Sequence, residues 1–291
     1  MAEESWELKR LPCLDSVEMA EARRHELDIS RDFAQDLGRS AVAISESGVY
    51  QNFKGERVEI KTMVEDAVAT KVSIAPDTPL PEQVERTETT VQVTNETTLL
   101  AAKRLTESGP TPLALNFANG VNPGGGFLHG ARAQEEGLCR SSALFLTLVG
   151  DPMYDHHRER AVPDSTDWAI YSPQVPVFRS DDGKELDEPW RLSFLTCAAP
   201  YAPTIGQPRS GDLLKSRIQR VLAIAAAYGH RSLVLGAWGC GAFENDPKRT
   251  AQDFRSALET EFAGVFSTVV FAITDWSPER RFLGSFRDVF L

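Results

Sequence analysis

The chain has 291 residues, 42% of them apolar and 25% charged, the composition of a globular protein that could be one large domain or two small ones. A formal net charge of −11 argues against a general nucleic-acid binder, no apolar run approaches the roughly 18 residues that span a bilayer, and the polar, acidic start MAEESWELKR is unlike a signal peptide. The four cysteines, Cys13, Cys139, Cys197 and Cys240, show no CxxC or similar zinc spacing, which points to a reducing, cytoplasmic compartment and away from structural zinc.

Residues 1 to about 74 read as mostly helical and irregular, with a helix over Leu27–Ser47, Asp28 or Ser30 near its start and Gly48 after its end. The proline-rich stretch 75–87 is a linker and the best internal boundary. Beyond it strands and helices alternate. Thr90–Val93 is strand-like, and Thr94 or Asn95 caps a helix through Leu99–Leu105. Leu113–Asn116 is a buried strand that leads into a glycine loop, and an apolar helix over Leu138–Leu148 follows. Asp151–Asp164 is polar and exposed, and Ala169–Phe178, broken by prolines, suits an edge strand. Arg191–Ala198 is a strand, Asp212–Tyr228 a helix stopped by Gly229, and Ser232–Leu235 a strand that feeds a second glycine loop. Asp246-Pro247 caps a helix to about Phe262, Ser267–Thr274 is a last buried strand, and Pro278 opens the final helix. The alternation implies a layered α/β/α domain with a mostly parallel sheet, whose ligands gather at the carboxyl ends of strands.

Two loops carry the chemistry. The first, NFANGVNPGGGFLHGARAQEEGLCRSS (116–142), has Gly124, Gly125 and Gly126 followed after seven residues by Gln134-Glu135-Glu136. Glycines let backbone amides approach a ligand, and glutamates offer a proton donor and acceptor, so the pattern suggests hydrolysis of something phosphorylated. The second, GAWGCGAFEN (236–245), alternates glycines with small or aromatic residues between a strand and a helix. Its amides can form an anion-binding concavity, although a plain tight turn fits equally well. It is neither a Walker loop nor a GxGxxG loop. A diphosphate between the two loops fits both. The acidity is concentrated elsewhere: residues 1–100 hold 20 Asp/Glu against 11 Lys/Arg, the remainder 22 against 20. An anion near the loops would therefore depend on local amides and helix ends.

GGG-x7-QEE resembles the signature of poly(ADP-ribose) glycohydrolases, and GAWGCGAF resembles the diphosphate loop of their macrodomain-type fold. VTNETTLLAA (93–102), NFANGVNPGGG (116–126), IYSPQVPVFR (170–179) and LVLGAWGCGAFENDP (233–247) are similar to the microbial branch of that family. The resemblance implies a three-layer α/β/α macrodomain-like fold with a mixed, mostly parallel sheet over residues 89–291, and a helical N-terminal extension over 1–88 packed on it. It implies a metal-independent glycosidase, without cofactor, that cleaves ribose–ribose O-glycosidic bonds of poly(ADP-ribose) and releases ADP-ribose. Glu136 would be the general acid/base and Glu135 would hold ribose hydroxyls, with Gln134 and Asn119 supporting the distal ribose. Backbone amides of the run Gly124, Gly125 and Gly126 and of Gly239, Cys240, Gly241 and Ala242 would take the diphosphate. Phe243 would pack on the distal ribose, and adenine would lie near Ile273 and Thr274. Poly(ADP-ribose), ADP-ribosylated proteins and the ADP-ribose product are the implied partners, and monomer is the default state.

Adjacent glutamates point about 100° apart on a helix, or to opposite sides if extended, so they are not expected to flank one bond as the carboxylates of ordinary glycosidases do. Neighbouring negative charges are expected to raise one glutamate's pKa and let it hold a proton near neutrality. His156 and His157, in DHHRER, read as solvated surface, His129 as a loop residue and Cys240 as structural. Two other functions fit the loops: a mono-ADP-ribosyl hydrolase, and a non-catalytic ADP-ribose-binding macrodomain. A reader of the second kind needs the loops but not Gln134-Glu135-Glu136.

Overall fold

Three apolar runs, Leu113–Ala118, Ser232–Leu235 and Thr268–Ala272, lie side by side in the middle of one eight-stranded sheet, covered on both faces. The computed structural model describes residues 6–81, 85–109 and 111–291. In chain order its elements are β1 (Leu8–Arg10), α1 (Val17–Leu27), α2 (Arg31–Ser47), β2 (Val49–Gln51), β3 (Arg57–Glu59), α3 (Lys61–Thr70), β4 (Val72–Ile74), β5 (Thr89–Thr94), α4 (Thr98–Ser108) and β6 (Leu113–Ala118). A 3-10 turn (Phe127–His129) precedes α5 (Gln134–Ser141), α6 (Leu144–Leu148), α7 (Pro152–Arg158), β7 (Ala169–Arg179) and β8 (Glu185–Ala198). The chain ends with α8 (Ala202–Ile205), α9 (Arg209–Ala227), β9 (Ser232–Leu235), α10 (Pro247–Glu259), β10 (Thr268–Ala272) and α11 (Leu283–Val289).

The sheet order is β1-β5-β10-β9-β6-β8-β7-β4. Strands β1 through β8 in that order are parallel, whereas β8–β7 and β7–β4 are antiparallel. The period of two along a strand sends alternate residues to opposite layers. Leu233, Leu235, Val269 and Phe271 meet α9, α10 and α11 through Leu222, Phe254 and Phe286. Val234 and Val270 face the other layer, with Ala101 of α4, Leu138 of α5 and Leu144 of α6. This is the expected α/β/α arrangement with a mixed, mostly parallel sheet. No helix of the described residues is long and apolar enough to cross a membrane.

Several local expectations change. Helix α1, capped by Ser16, has no counterpart in the sequence reading. The cap of α4 is Thr97, whose hydroxyl accepts from Leu100 N, because Thr94 still belongs to β5 and Asn95 is bonded to Asp275. The glutamates lie inside a helix, not ahead of one. The expected 138–148 helix is broken at Ser142, which turns extended and bridges to Val177 while its hydroxyl accepts from Leu144 N. Strand β7 is not an edge, since β4 covers it, and its prolines fall near a bulge between Ser172 and Val175. Segment 151–164 is only partly exposed: Asp151 caps α7, which buries Met153, Tyr154 and His157. The last helix starts at Leu283, not at Pro278, because the Asp275 carboxylate first gathers the amides of Ser277, Phe282 and Leu283. Of the stretch 75–87, residues 82–84 lie outside the described residues.

The first part of the chain contributes sheet as well as helix, for β1 pairs with β5 and β4 with β7. Its helix α2 supports the first glycine loop from behind. Arg31 Nε donates to the His129 carbonyl at 2.9 Å and Gln35 Nε2 to the Leu128 carbonyl at 3.0 Å. Gly38 lets the two approach: a first side-chain carbon there would stand 2.6 Å from the Phe127 carbonyl oxygen. Glycine to alanine inside a helix ordinarily gains about 1 kcal/mol. At Gly38 the clash reverses the sign, and Gly38→Ala is expected to lose about 1–3 kcal/mol in urea unfolding. A gain would show that the contact with Phe127 yields freely.

Candidate active site

Strands β6, β9 and β10 are neighbours, and the chain leaving their carboxyl ends lines one cavity of about 580 Å³. Asn119, Gln134, Glu135 and Glu136 form one wall, Gly239, Gly241, Ala242 and Phe243 another, and Ile273 and Thr274 a third. Thr97, within VTNETTLLAA, also lines it, as do Asp181, Trp276 and Phe282 from segments with no motif in the sequence.

Both glutamates sit in the first turn of α5, where the helix dipole favours carboxylates and Ala133 provides no side-chain cap of its own. Glu135 is buried. Its Oε2 accepts from the Asn119 amide at 2.7 Å and its Oε1 from Asn116 Nδ2 at 3.3 Å. Glu136 Oε1 accepts from the Gly126 amide at 2.9 Å. A side-chain carbon on Gly125 would lie 2.4 Å from Glu136 Oε1 and 3.0 Å from Glu135 Oε2. The two carboxyl groups therefore converge on one point. They do not diverge as their sequence adjacency suggests, because long side chains on a helix lean back toward its N-terminus. Gly125 is required twice over, by this contact and by its φ of +59°.

Burial pushes the Glu135 carboxyl up to about 8, and the charge of Glu136 adds to the effect. The amides of Asn119 and Gly124 and the side chain of Asn116 pull the other way. One glutamate thus does hold a proton near neutrality, but the leading cause is desolvation and not neighbouring charge.

The glycine run is a bed for these carboxylates and not a cavity wall. Gly126 N–H is committed to Glu136 and Gly125 N–H to the Asn122 carbonyl, while Gly124 packs on Phe127 and Cys139. Their expected use as diphosphate donors does not match this arrangement. Gln134 lines the cavity, yet its amide is already engaged: Oε1 accepts from Phe117 N, and Nε2 donates to Thr98 Oγ1 and to the Leu115 carbonyl. It bolts the start of α5 to β6.

The second loop is different. Among the described residues the amides of Gly239, Gly241, Ala242 and Phe243 donate to no acceptor. Cys240 N–H closes a turn on the Ala237 carbonyl, and burial pushes its thiol up to about 12, so this residue is structural. Buried Asn245 locks the loop, donating to the Pro200 and Gly239 carbonyls and accepting from Ser210. Phe243 stands edge-on to Tyr201 at 5.5 Å.

His157 is buried, contrary to the surface reading, with its ring between Gly120 and Thr166. His156 is exposed against Trp168, and His129 is exposed and off the cavity. Two contributors were missed. Asn116, on β6, reaches Glu135 only because α5 folds over that strand. Asp181 accepts from Thr97 Oγ1 at 2.6 Å on the cavity wall, and burial raises it to about 6. Nothing local in the sequence marks Asp181, and Asn116 opens the NFANGVNPGGG motif with no role that the motif itself reveals.

Such a cleft, with a carboxylate pair on one wall and free amides on the other at the strand ends of an α/β/α sheet, defines a protein of the macrodomain-like class. Residues 38–180 match the family described as microbial-type PARG, catalytic domain, where PARG is poly(ADP-ribose) glycohydrolase. The structure is similar to that of poly(ADP-ribose) glycohydrolase from Thermomonospora curvata, with 41% identity, a TM-score of 0.83, and coverage of 89% of this chain and 99% of that one. The same enzyme bound to the inhibitor ADP-HPD gives 41% identity and a TM-score of 0.82 over 88% and 99% of the two chains. Poly(ADP-ribose) glycohydrolase from Deinococcus radiodurans in complex with ADP-ribose gives 39% identity and 0.74 over 80% and 98%. No curated protein is similar enough to match. The chain belongs to the microbial-type poly(ADP-ribose) glycohydrolase family.

The raised Glu135 carboxyl has a consequence for stability. Between its ordinary value of 4.5 and its folded value of about 8, the unfolded chain gives up a proton that the folded chain keeps. This contribution is therefore full below pH 4.5 and lost as pH rises toward 8. Glu135→Gln cannot ionise, so its Tm relative to wild type should climb steadily from pH 5 to pH 8. A difference that stays flat or shrinks over that range would contradict the burial argument.

Proposed function

We propose that this protein hydrolyses ribose–ribose O-glycosidic bonds of poly(ADP-ribose) to release ADP-ribose, with Glu136 as general acid and then general base. The observation that carries this reading is the convergence of two carboxyl groups above Gly125, in one cavity with a loop whose amides donate to no acceptor among the described residues.

The substrate diphosphate lies along the amides of Gly239, Gly241 and Ala242, the distal ribose beside Phe243 and Asn119, and adenine toward Ile273 and Thr274. Gly126 holds Glu136 by Oε1 and leaves Oε2 for the substrate. The Glu136 carboxyl gives its proton to the departing ribose oxygen as the anomeric C–O bond breaks. The oxocarbenium-like sugar is then attacked by water, whose proton returns to the same carboxylate. Glu135, protonated near neutrality, can both donate to and accept from ribose hydroxyls. Both carboxyl groups reach the space above Gly125, and the charge of Glu136 adds to burial in holding the proton on Glu135. The same reading has the protein act as a cytoplasmic monomer on polymer and on ADP-ribosylated proteins.

The test is Glu136→Gln, assayed for ADP-ribose release from polymer and for ADP-ribose binding by calorimetry. Turnover should fall about 10²–10⁴-fold while affinity stays within about threefold. Loss of both would assign Glu136 a folding role, and unchanged turnover would move the acid/base role to Glu135.

A further inference from the structure

We infer that His157 is a positioning residue for this site, fixing through Gly120 the peptide plane that orients Asn119 against Glu135. The inference rests on the function proposed above but concerns a residue that lines none of the cavity.

The turn Asn119–Asn122 joins β6 to the glycine run. Its central peptide is gripped at both ends. The Val121 N–H donates to Asn119 Oδ1 at 2.9 Å, and the carbonyl of the same peptide, from Gly120, meets His157 Nδ1 at 3.0 Å. Asn122 N–H adds a second bond to Asn119 Oδ1 at 3.0 Å. Asn119 therefore cannot change rotamer without releasing two amides. Its own backbone N–H is the 2.7 Å donor to Glu135 Oε2, and its side chain lines the cavity. The line of contact runs from His157 through one rigid peptide to Asn119, and from Asn119 to Glu135.

The neighbours of the ring dictate its tautomer. The Thr166 backbone N–H donates to Nε2 at 3.1 Å, so Nε2 carries no proton and the single ring hydrogen sits on Nδ1, aimed at the Gly120 carbonyl. Burial pulls the imidazole down to about 4, with the charges of Arg217, His156 and Arg160 acting in the same direction, so this neutral form persists across the physiological range. The surroundings leave no slack: a side-chain carbon on Gly120 would stand 2.4 Å from Ser165 Oγ and 3.4 Å from His157 Nδ1. Arg158, the next residue of α7, holds the following carbonyl, that of Val121, through Nε at 3.1 Å. Helix α7 thus clamps two successive carbonyls of the turn.

Three variants separate positioning from packing. His157→Phe keeps a ring and removes the N–H. His157→Gln places its amide where Nε2 stood and leaves Gly120 unserved. His157→Asn places an amide N–H where Nδ1 stood. We expect kcat for ADP-ribose release from polymer to fall about 10- to 100-fold in Phe and Gln, and to recover to within about threefold of wild type in Asn. Unchanged kcat in Phe, or equal kcat in Asn and Gln, overturns the inference. If Phe proves insoluble, the Asn and Gln pair decides alone. Wild-type protein that releases no ADP-ribose would instead overturn the function proposed above, and this inference with it.

Discussion

Two carboxyl groups occupy the space where a Gly125 side chain would stand, and among the described residues neither forms an ion pair. Carboxylates taken out of water are costly unless donors replace the lost hydration. Here the donors are the backbone amides of Asn119 and Gly126 and the side-chain amide of Asn116, together with the N-terminal end of α5. Arg140 is buried nearby, but it donates to the Ala131 carbonyl and acts on Glu136 only as a charge at a distance. Protonation of Glu135 supplies the rest, since a neutral carboxyl costs far less to bury.

That bed of amides is made from a glycine-rich loop, the kind of chain that loses most freedom on ordering. The loop is therefore held from outside. Helix α2 clamps the carbonyls of Leu128 and His129 and packs Gly38 on Phe127. Gly130, at φ +77°, leaves room for the Arg31 backbone, where a side-chain carbon would come within 2.3 Å of its carbonyl oxygen. Arg179, buried in β7, ties the same helix to the same site. It donates to the carbonyls of Leu37 in α2 and Arg140 in α5 and pairs with Glu185. The N-terminal segment is thus part of the machinery that keeps the glutamates in place.

The sequence made legible what local chemistry decides. Continuous apolar runs located β6, β9 and β10, and capping residues fixed the end of α2 at Gly48 and the start of α10 at Asp246, while Ser30, one of two candidates, caps the start of α2 at Arg31 and α10 stops at Glu259, short of Phe262. The two loops were found because each follows such a strand. What each amide does was not legible. Gly125 and Gly126 have the composition of an anion cradle, but α5 returns its own carboxylates to that cradle, a contact ten residues apart in sequence for Gly126 and Glu136. His157 looked solvated because it lies among Asp, Arg and Glu, although its partners, Gly120 and Thr166, are supplied by the fold. Asp181 was invisible for the same reason, and Asn116 stood in a motif that did not reveal its role. Each gains its role from a chain segment far away, and no periodicity records that.

The division of labour between the loops bears on how an anionic substrate enters a site that already holds two acidic groups. With the net charge at −11, the field of the whole protein opposes a diphosphate, so short-range donors must carry the binding. The amides of Gly239, Gly241 and Ala242, which donate to no acceptor among the described residues, line the same cavity as the glutamates but come from a different loop. Where the charges interact, the effect is useful. A diphosphate bound as proposed would favour the proton on Glu135, and by thermodynamic reciprocity that proton would favour the diphosphate to the same extent. Burial, with the charge of Glu136 adding to it, already brings Glu135 to about 8. In the reaction proposed above, the charge of a bound diphosphate therefore adds to burial in keeping Glu135 protonated beside Glu136.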